Sequence, residues 1–158
     1  MILLEDLAVE TAYEAGIDSQ VFRAIIAVES AWNPWAVRYE PKWQYFYFPR
    51  EWASKLNLSV ETETACQQIS WGLGQVMGSV ARELEFSGNL TELCDPAKGL
   101  MYSALQFKKL KIRYGKTEMD TVAAYNAGSP RRTPGGLYVN QGYVDKVHAQ
   151  LLKIRALV

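Results

Sequence analysis

A mainly α fold in a single domain is what this sequence predicts, on three observations. Apolar residues recur at helical spacing through most of the chain, as in Val21, Phe22, Ile25, Ile26 and Val28. Start and stop residues bracket those stretches, with Asp18, Ser59 and Asp95-Pro96 before them and Gly16 and Gly128 after. At 158 residues and 49% hydrophobic content, the chain is long enough for one real core and too short to expect two. The expected domain is residues 1–158.

The elements follow in order. Leu3, Leu4, Leu7 and Val9 open an amphipathic first helix that Gly16 can end. Asp18 reads as the N-cap of a second helix running through Ser30, and Asn33-Pro34 stops it. "EPKWQYFYFPR" is aromatic, alternating and bounded by prolines, so it reads as a short strand or an irregular loop on the core. Pro49 can start a helical turn through "REWASKL", and Ser59 can cap "VETETACQQI". The glycine-rich break "SWGLGQVMG" leads into a helix through Leu84. Asp95-Pro96 starts a long helix to about Tyr114, and "MDTVAAYNAG" is a shorter one ended by Gly128. "SPRRTPGG" is a loop, and "YVDKVHAQLLKIRAL" is a last amphipathic helix.

Composition excludes several classes of function. Seventeen basic residues balance seventeen acidic ones, so no net field is available to hold a nucleic acid, and only a local patch such as Arg131-Arg132 stays open to one. Cys66 and Cys94 lack metal or redox spacing; they form one disulfide outside the cytosol or remain free thiols. His148, the single histidine, has no supporting nucleophile motif. The carboxylates show neither D-x-D nor H-x-x-x-H spacing, so no metal or organic cofactor is expected. "MILLEDLAVETAYEAG" has no basic n-region and no unbroken apolar run, and no stretch reaches membrane-spanning length. Five Trp and nine Tyr suit a core, an interface or a saccharide groove alike.

The most informative residue is Glu29. At helical spacing it shares a stripe with Val21, Ile25 and Trp32, an apolar setting for an ionisable group. It also falls in the last turn, where the helix dipole disfavours negative charge. Partial burial acts in the same direction, so a protonated carboxyl is expected, as a general acid requires. The plainer alternative is a Glu that reaches solvent or meets an arginine such as Arg38. In "SWGLGQVMG" the glycines allow a close backbone approach, and Gln75 can bind hydroxyl or amide groups; packing glycines at a helix start are the alternative. In "AAYNAG" the Tyr125 hydroxyl can orient a neighbouring carboxyl, or Tyr125 is simply core with Asn126 near the cap.

Taken in order, "AIIAVESAWNPWAV", "SWGLGQVM", "AAYNAG" and "GYVDKV" resemble the soluble lytic transglycosylase family, whose goose-type-lysozyme-like domain cleaves peptidoglycan. The resemblance implies a lysozyme-like domain with a short aromatic-rich insertion. It implies Glu29 as the catalytic acid/base, Tyr125 as the tyrosine that orients it, and Ser30 as a supporting hydroxyl. Gln75 and Met77 match groove positions, Asn126 lies beside Tyr125, and Tyr143-Val144 matches the pair opening the final helix. Two departures stand out. Some forty residues separate Glu-Ser from the glycine motif, including the aromatic insertion that reads like that of phage-type members. The usual G-L-M-Q-L-M-P appears as "GLGQVMG", with Gly74 for a methionine and Gly78 for a proline.

The expected reaction cuts the β-1,4 bond between N-acetylmuramic acid and N-acetylglucosamine. A transglycosylase is preferred. A muramidase with a second carboxylate is the alternative, and a non-catalytic glycan binder is a third. Glu63 is the leading second carboxylate, since Glu63, Gln67 and Ser70 fall at i, i+4 and i+7 on one helical face. Glu40 is its rival, and a surface ion pair is the plain alternative for each. The expected substrate-binding set is Ser30, Ser70, Gln75, Met77, Asn126 and Tyr143. A monomer is expected, with peptidoglycan strands as its partner. It would be made in the cytoplasm and act on the cell wall, as a phage lysis or wall-penetration enzyme, with a bacterial secretion-system enzyme as the alternative.

Overall fold

The computed structural model describes residues 3–157, and the fold is mainly α with one small antiparallel sheet, as in lysozyme-like domains. Two compact units make up the chain. One comprises the residues up to Trp32 and those from Ala104 onward, and the other comprises Asn33–Ser103.

In the first unit, α1 (Leu4–Ala15) ends at Gly16, whose left-handed backbone lets its N–H reach the Tyr13 carbonyl. Its buried residues are Ala8 and Ala12, whereas Leu3 and Val9 face solvent. Leu4 and Leu7 are half-buried beside those alanines, so the buried face combines both leucines with the small residues and leaves Leu3 and Val9 outside it. The second helix, α2 (Ser19–Ser30), starts where expected: Asp18 accepts hydrogen bonds from the Gln20 and Val21 N–H groups at 2.9 and 3.0 Å. Val21, Phe22, Ala24, Ile25 and Ile26 are buried, and each large one stabilises the unit by roughly 1.5–3 kcal/mol. They pack on α1 and, more extensively, on α8 (Gln141–Ala156), which buries Val144, Val147 and Leu151. Phe22 also meets Phe107 edge to face. The helix α7 (Glu118–Ala127) opens with a Thr117–Asp120 capping box, closes at Gly128, and packs on α8. The long α6 (Pro96–Tyr114) starts in the second unit, where Asp95 caps the Lys98 N–H, and ends in the first.

Asp120 does more than cap α7. Its carboxylate accepts hydrogen bonds from the Tyr138 hydroxyl at 2.8 Å, the Thr117 N–H at 3.0 Å and Arg132 at 3.2 Å, anchoring the loop that contains "SPRRTPGG". Arg132 also lies 4.1 Å over the Tyr138 ring. Burial alone would raise the Asp120 carboxyl, but these hydrogen bonds together hold it below its ordinary 3.8. A depressed folded-state value means that its contribution is complete above pH 3.8 and fades as pH falls through the lower folded value. Protection of the amides of residues 129–136 against hydrogen exchange is expected to fall at such acid pH. Asp120→Asn should abolish that dependence, because it leaves nothing there to titrate.

The second unit holds a sheet of order β1-β2-β3, from β1 (Val37–Tyr39), β2 (Ile69–Trp71) and β3 (Val76–Met77). Around it lie α3 (Pro49–Leu56), α4 (Val60–Gln67), α5 (Gly78–Glu83) and a 3-10 turn at Leu90–Cys94. Ser59 caps α4 through the Thr62 N–H, as its sequence position suggested. Of the two forms expected for "EPKWQYFYFPR", the irregular loop is the one found, and no strand lies within it. β1 ends at Tyr39, just before the stretch, and residues 40–48 are irregular and held by side chains. Gln67 exchanges hydrogen bonds with both backbone groups of Tyr47, at 2.8 and 3.0 Å. The Trp43 indole donates to the Tyr45 carbonyl and the Ser79 hydroxyl.

The core of this unit gathers Trp71, Val76, Ala81, Phe86, Leu90, Leu93 and Cys94. Two glycines make that packing feasible. Gly72 has φ 68°, and a Cβ there would sit 2.2 Å from the Leu93 carbonyl oxygen; one on Gly78 would sit 2.3 Å from that of Cys66. The glycine motif therefore admits backbone from within its own unit. Cys66 and Cys94 are free thiols, and burial pushes both above their ordinary value. Among the described residues no helix is long and apolar enough to cross a membrane.

Candidate active site

Glu29 sits where the α2 stripe leaves the core: Val21 and Ile25 are buried, while Glu29 and Trp32 are half-buried. The helix stops two residues on, through Ala31 and Trp32 in succession at φ 50° and 64°. Left-handed backbone in two non-glycine residues costs about 1–3 kcal/mol each, strain that the surrounding structure must hold in place.

The Tyr143 hydroxyl donates to Glu29 Oε1 at 2.6 Å, across 114 positions of sequence. Tyr143 lies in the first turn of α8, and an asparagine pair fixes where that helix begins. Asn140 Nδ2 donates to the Ala123 carbonyl and to Asn126 Oδ1, both at 3.0 Å, while the Asn140 carbonyl accepts from the Tyr143 N–H. Burial, then the adjacent Glu29 carboxylate, then the hydrogen bond to it, hold the Tyr143 phenol well above its ordinary 10.0; nearby Tyr125 adds to the effect. Tyr143 therefore stays protonated and remains a donor throughout the neutral range. Tyr125 itself is buried in α7. The Ser30 hydroxyl turns back to the Ile26 carbonyl at 3.3 Å within its own helix.

The remaining sequence candidates lie in the second unit. Ser70 and Met77 are partners across β2 and β3, with the Ser70 hydroxyl 3.2 Å from the Met77 sulfur. Gln75 adopts φ 51° in the turn between those strands, and its Nε2 donates to the Ala36 and Gly72 carbonyls at 3.0 Å. Both amide hydrogens are thus committed to the main chain, so Gln75 shapes the turn rather than presenting a free donor to a sugar.

Glu63 is fully buried, with Arg82 donating to both of its oxygens at 2.8 and 3.0 Å and Gln67 adding a third bond at 3.0 Å. Arg82 also donates to the Phe86 and Gly88 carbonyls and lies 4.6 Å over the Trp52 ring. A carboxylate so enclosed has no access to a water it could position. The supposed face also breaks, since α4 ends at Gln67 and Ser70 belongs to β2. Glu40, the rival, pairs with Arg38.

A family model described as the transglycosylase SLT domain matches residues 6–134, most of the chain. The chain belongs to the transglycosylase SLT family. Its members are lytic transglycosylases acting on peptidoglycan, so this SLT domain acts on the bacterial cell wall. Comparison with curated proteins and with solved structures found no match. The matched SLT span includes Glu29, Gln75, Tyr125 and Asn126 but stops short of Asn140 and Tyr143.

Sequence reasoning missed Arg82 and Asn140. Arg82 left one trace, a lone cation in the short run "GSVARE" with Glu63 and Gln67 four apart upstream. Asn140 left only its place before the last helix, which suits a cap as well as a bridge.

Proposed function

We propose that Glu29 is the general acid/base with which this lytic transglycosylase cleaves the β-1,4 bond between N-acetylmuramic acid and N-acetylglucosamine. The observation that carries the reading is the 2.6 Å hydrogen bond from Tyr143, which fixes the direction of a half-buried carboxyl. Glu29 gives its proton to the glycosidic oxygen as the bond from that oxygen to the anomeric carbon breaks. The acetamido group of the same sugar stabilises the charge that develops there. The C6 hydroxyl then attacks the anomeric carbon, and its proton returns to the Glu29 carboxylate. The product is a 1,6-anhydro sugar, and water takes no part.

Arginine pairing of Glu63 and Glu40 supports this outcome over a muramidase, which needs a carboxylate free to position water. We assign Tyr143 and Tyr125 to orienting Glu29, and Ser70, Gln75 and Met77 to shaping the wall that meets the glycan. The family match runs through both units, which supports reading residues 1–158 as one catalytic domain. The aromatic insertion supports a phage enzyme for lysis or wall penetration.

Mass spectrometry of digested peptidoglycan tests the reaction. Anhydro-muropeptides are expected, and reducing ends would assign a muramidase instead. Tyr143→Phe should slow cleavage about tenfold, the cost of one hydrogen bond to a charged group, with the thermal midpoint little changed. A wild-type rate in that variant would remove Tyr143 from the orienting role.

A further inference from the structure

The loop at residues 40–48 exposes more aromatic surface than its packing requires. Tyr45, Phe46 and Phe48 are 77%, 39% and 59% exposed, within a run from Trp43 to Phe48 that carries no charge. The loop is nevertheless firmly built. Trp43 and Tyr47 are half-buried and anchor it through the Ser79 hydroxyl, through Gln67, and through Gln68, which donates to the Trp43 carbonyl. Each anchor braces an exposed ring edge to face: Trp43 against Tyr45 at 5.4 Å and Tyr47 against Phe48 at 4.9 Å. Phe48 is held at φ 43°, in left-handed backbone, where α3 begins. Rings fixed before contact lose little freedom on binding.

Lys42 and Arg50 bracket the run, both exposed and neither in an ion pair among the described residues. Three partly exposed rings offer at most a few hundred Å², well below the roughly 800 Å² per partner of a stable protein interface. Two flanking cations are also too few for firm attachment to an anionic lipid surface. A saccharide chain fits better. Pyranose rings present faces of C–H groups to aromatic rings, and the stem peptides of peptidoglycan bring carboxylates for Lys42 and Arg50.

We propose that Tyr45, Phe46 and Phe48, with Lys42 and Arg50, form a glycan-holding platform that grips the peptidoglycan strand. The platform rests on the peptidoglycan reading but makes no use of Glu29, so it holds polymer without cutting it.

Co-sedimentation of the full chain with insoluble peptidoglycan tests this, using Glu29→Gln as the parent so that the polymer stays intact. Adding Tyr45→Ser and Phe48→Ser should weaken retention about tenfold, as loss of aromatic anchors does, with the thermal midpoint unchanged. Tyr45→Ser with Phe46→Ser leaves the start of α3 untouched and gives the same reading if the first variant fails to fold. Retention equal to the parent in a folded variant overturns the proposal. So does a parent captured by phosphatidylglycerol vesicles, or a parent dimer that the substitutions dissolve. A wild-type chain that cuts peptidoglycan while the variants are retained normally defeats the platform alone. One that neither cuts nor sediments defeats the function itself.

Discussion

Glu29→Gln is expected to clear a peptidoglycan suspension at least about a hundredfold more slowly than the wild-type chain, the usual scale of a general-acid contribution. The substitution keeps the shape of the side chain, and the glutamine oxygen can still accept the Tyr143 hydroxyl that now bonds Oε1 at 2.6 Å. What it removes is the proton that the proposed mechanism delivers to the leaving oxygen. Fold and rate are therefore separable here: thermal melting should be within a few degrees of wild type while turbidity clearing collapses. Clearing at the wild-type rate would take Glu29 out of the mechanism, and Tyr143 would lose its purpose with it.

The largest effect on stability is expected at Arg82. Arg82→Met removes the donors that hold both Glu63 oxygens and leaves that carboxylate fully buried with only Gln67 beside it. It also strips the Phe86 and Gly88 carbonyls of their donor. Breaking a buried pair in this way costs about 3–5 kcal/mol, to be measured by urea denaturation. The companion change Glu63→Leu removes the stranded charge, so the double variant should recover much of the loss. A loss below about 0.5 kcal/mol for Arg82→Met, as at an ordinary surface position, would refute the account. Glu63→Gln separates structure from chemistry. A structural carboxylate gives fewer folded molecules with normal turnover in each, whereas a water-positioning one gives normal stability with a collapsed rate.

Helix boundaries were legible because capping is local chemistry. Asp18, Ser59, Asp95 and Gly128 act on neighbours within three or four residues, and the sequence displays those neighbours beside them. The sheet was less legible, since strands of three, three and two residues are too short to show a period. Glu29 could be singled out because its apolar stripe is a property of one helix. Its hydrogen bond to Tyr143 could not, since it joins the end of α2 to the start of α8 and depends on how those helices pack. The same limit explains Glu63. Spacing placed it on a face with Gln67, but the partner that defines it, Arg82, stands nineteen residues away on another helix. Gln75 shows the converse: its motif was conspicuous, yet its amide serves the turn that carries it.

The strongly shifted phenol of Tyr143 has a consequence for kinetics. Such a group keeps its hydrogen throughout the neutral range, so it contributes no ionisation of its own to a pH–rate profile there. A limb that appears in that range therefore belongs to a group other than this phenol.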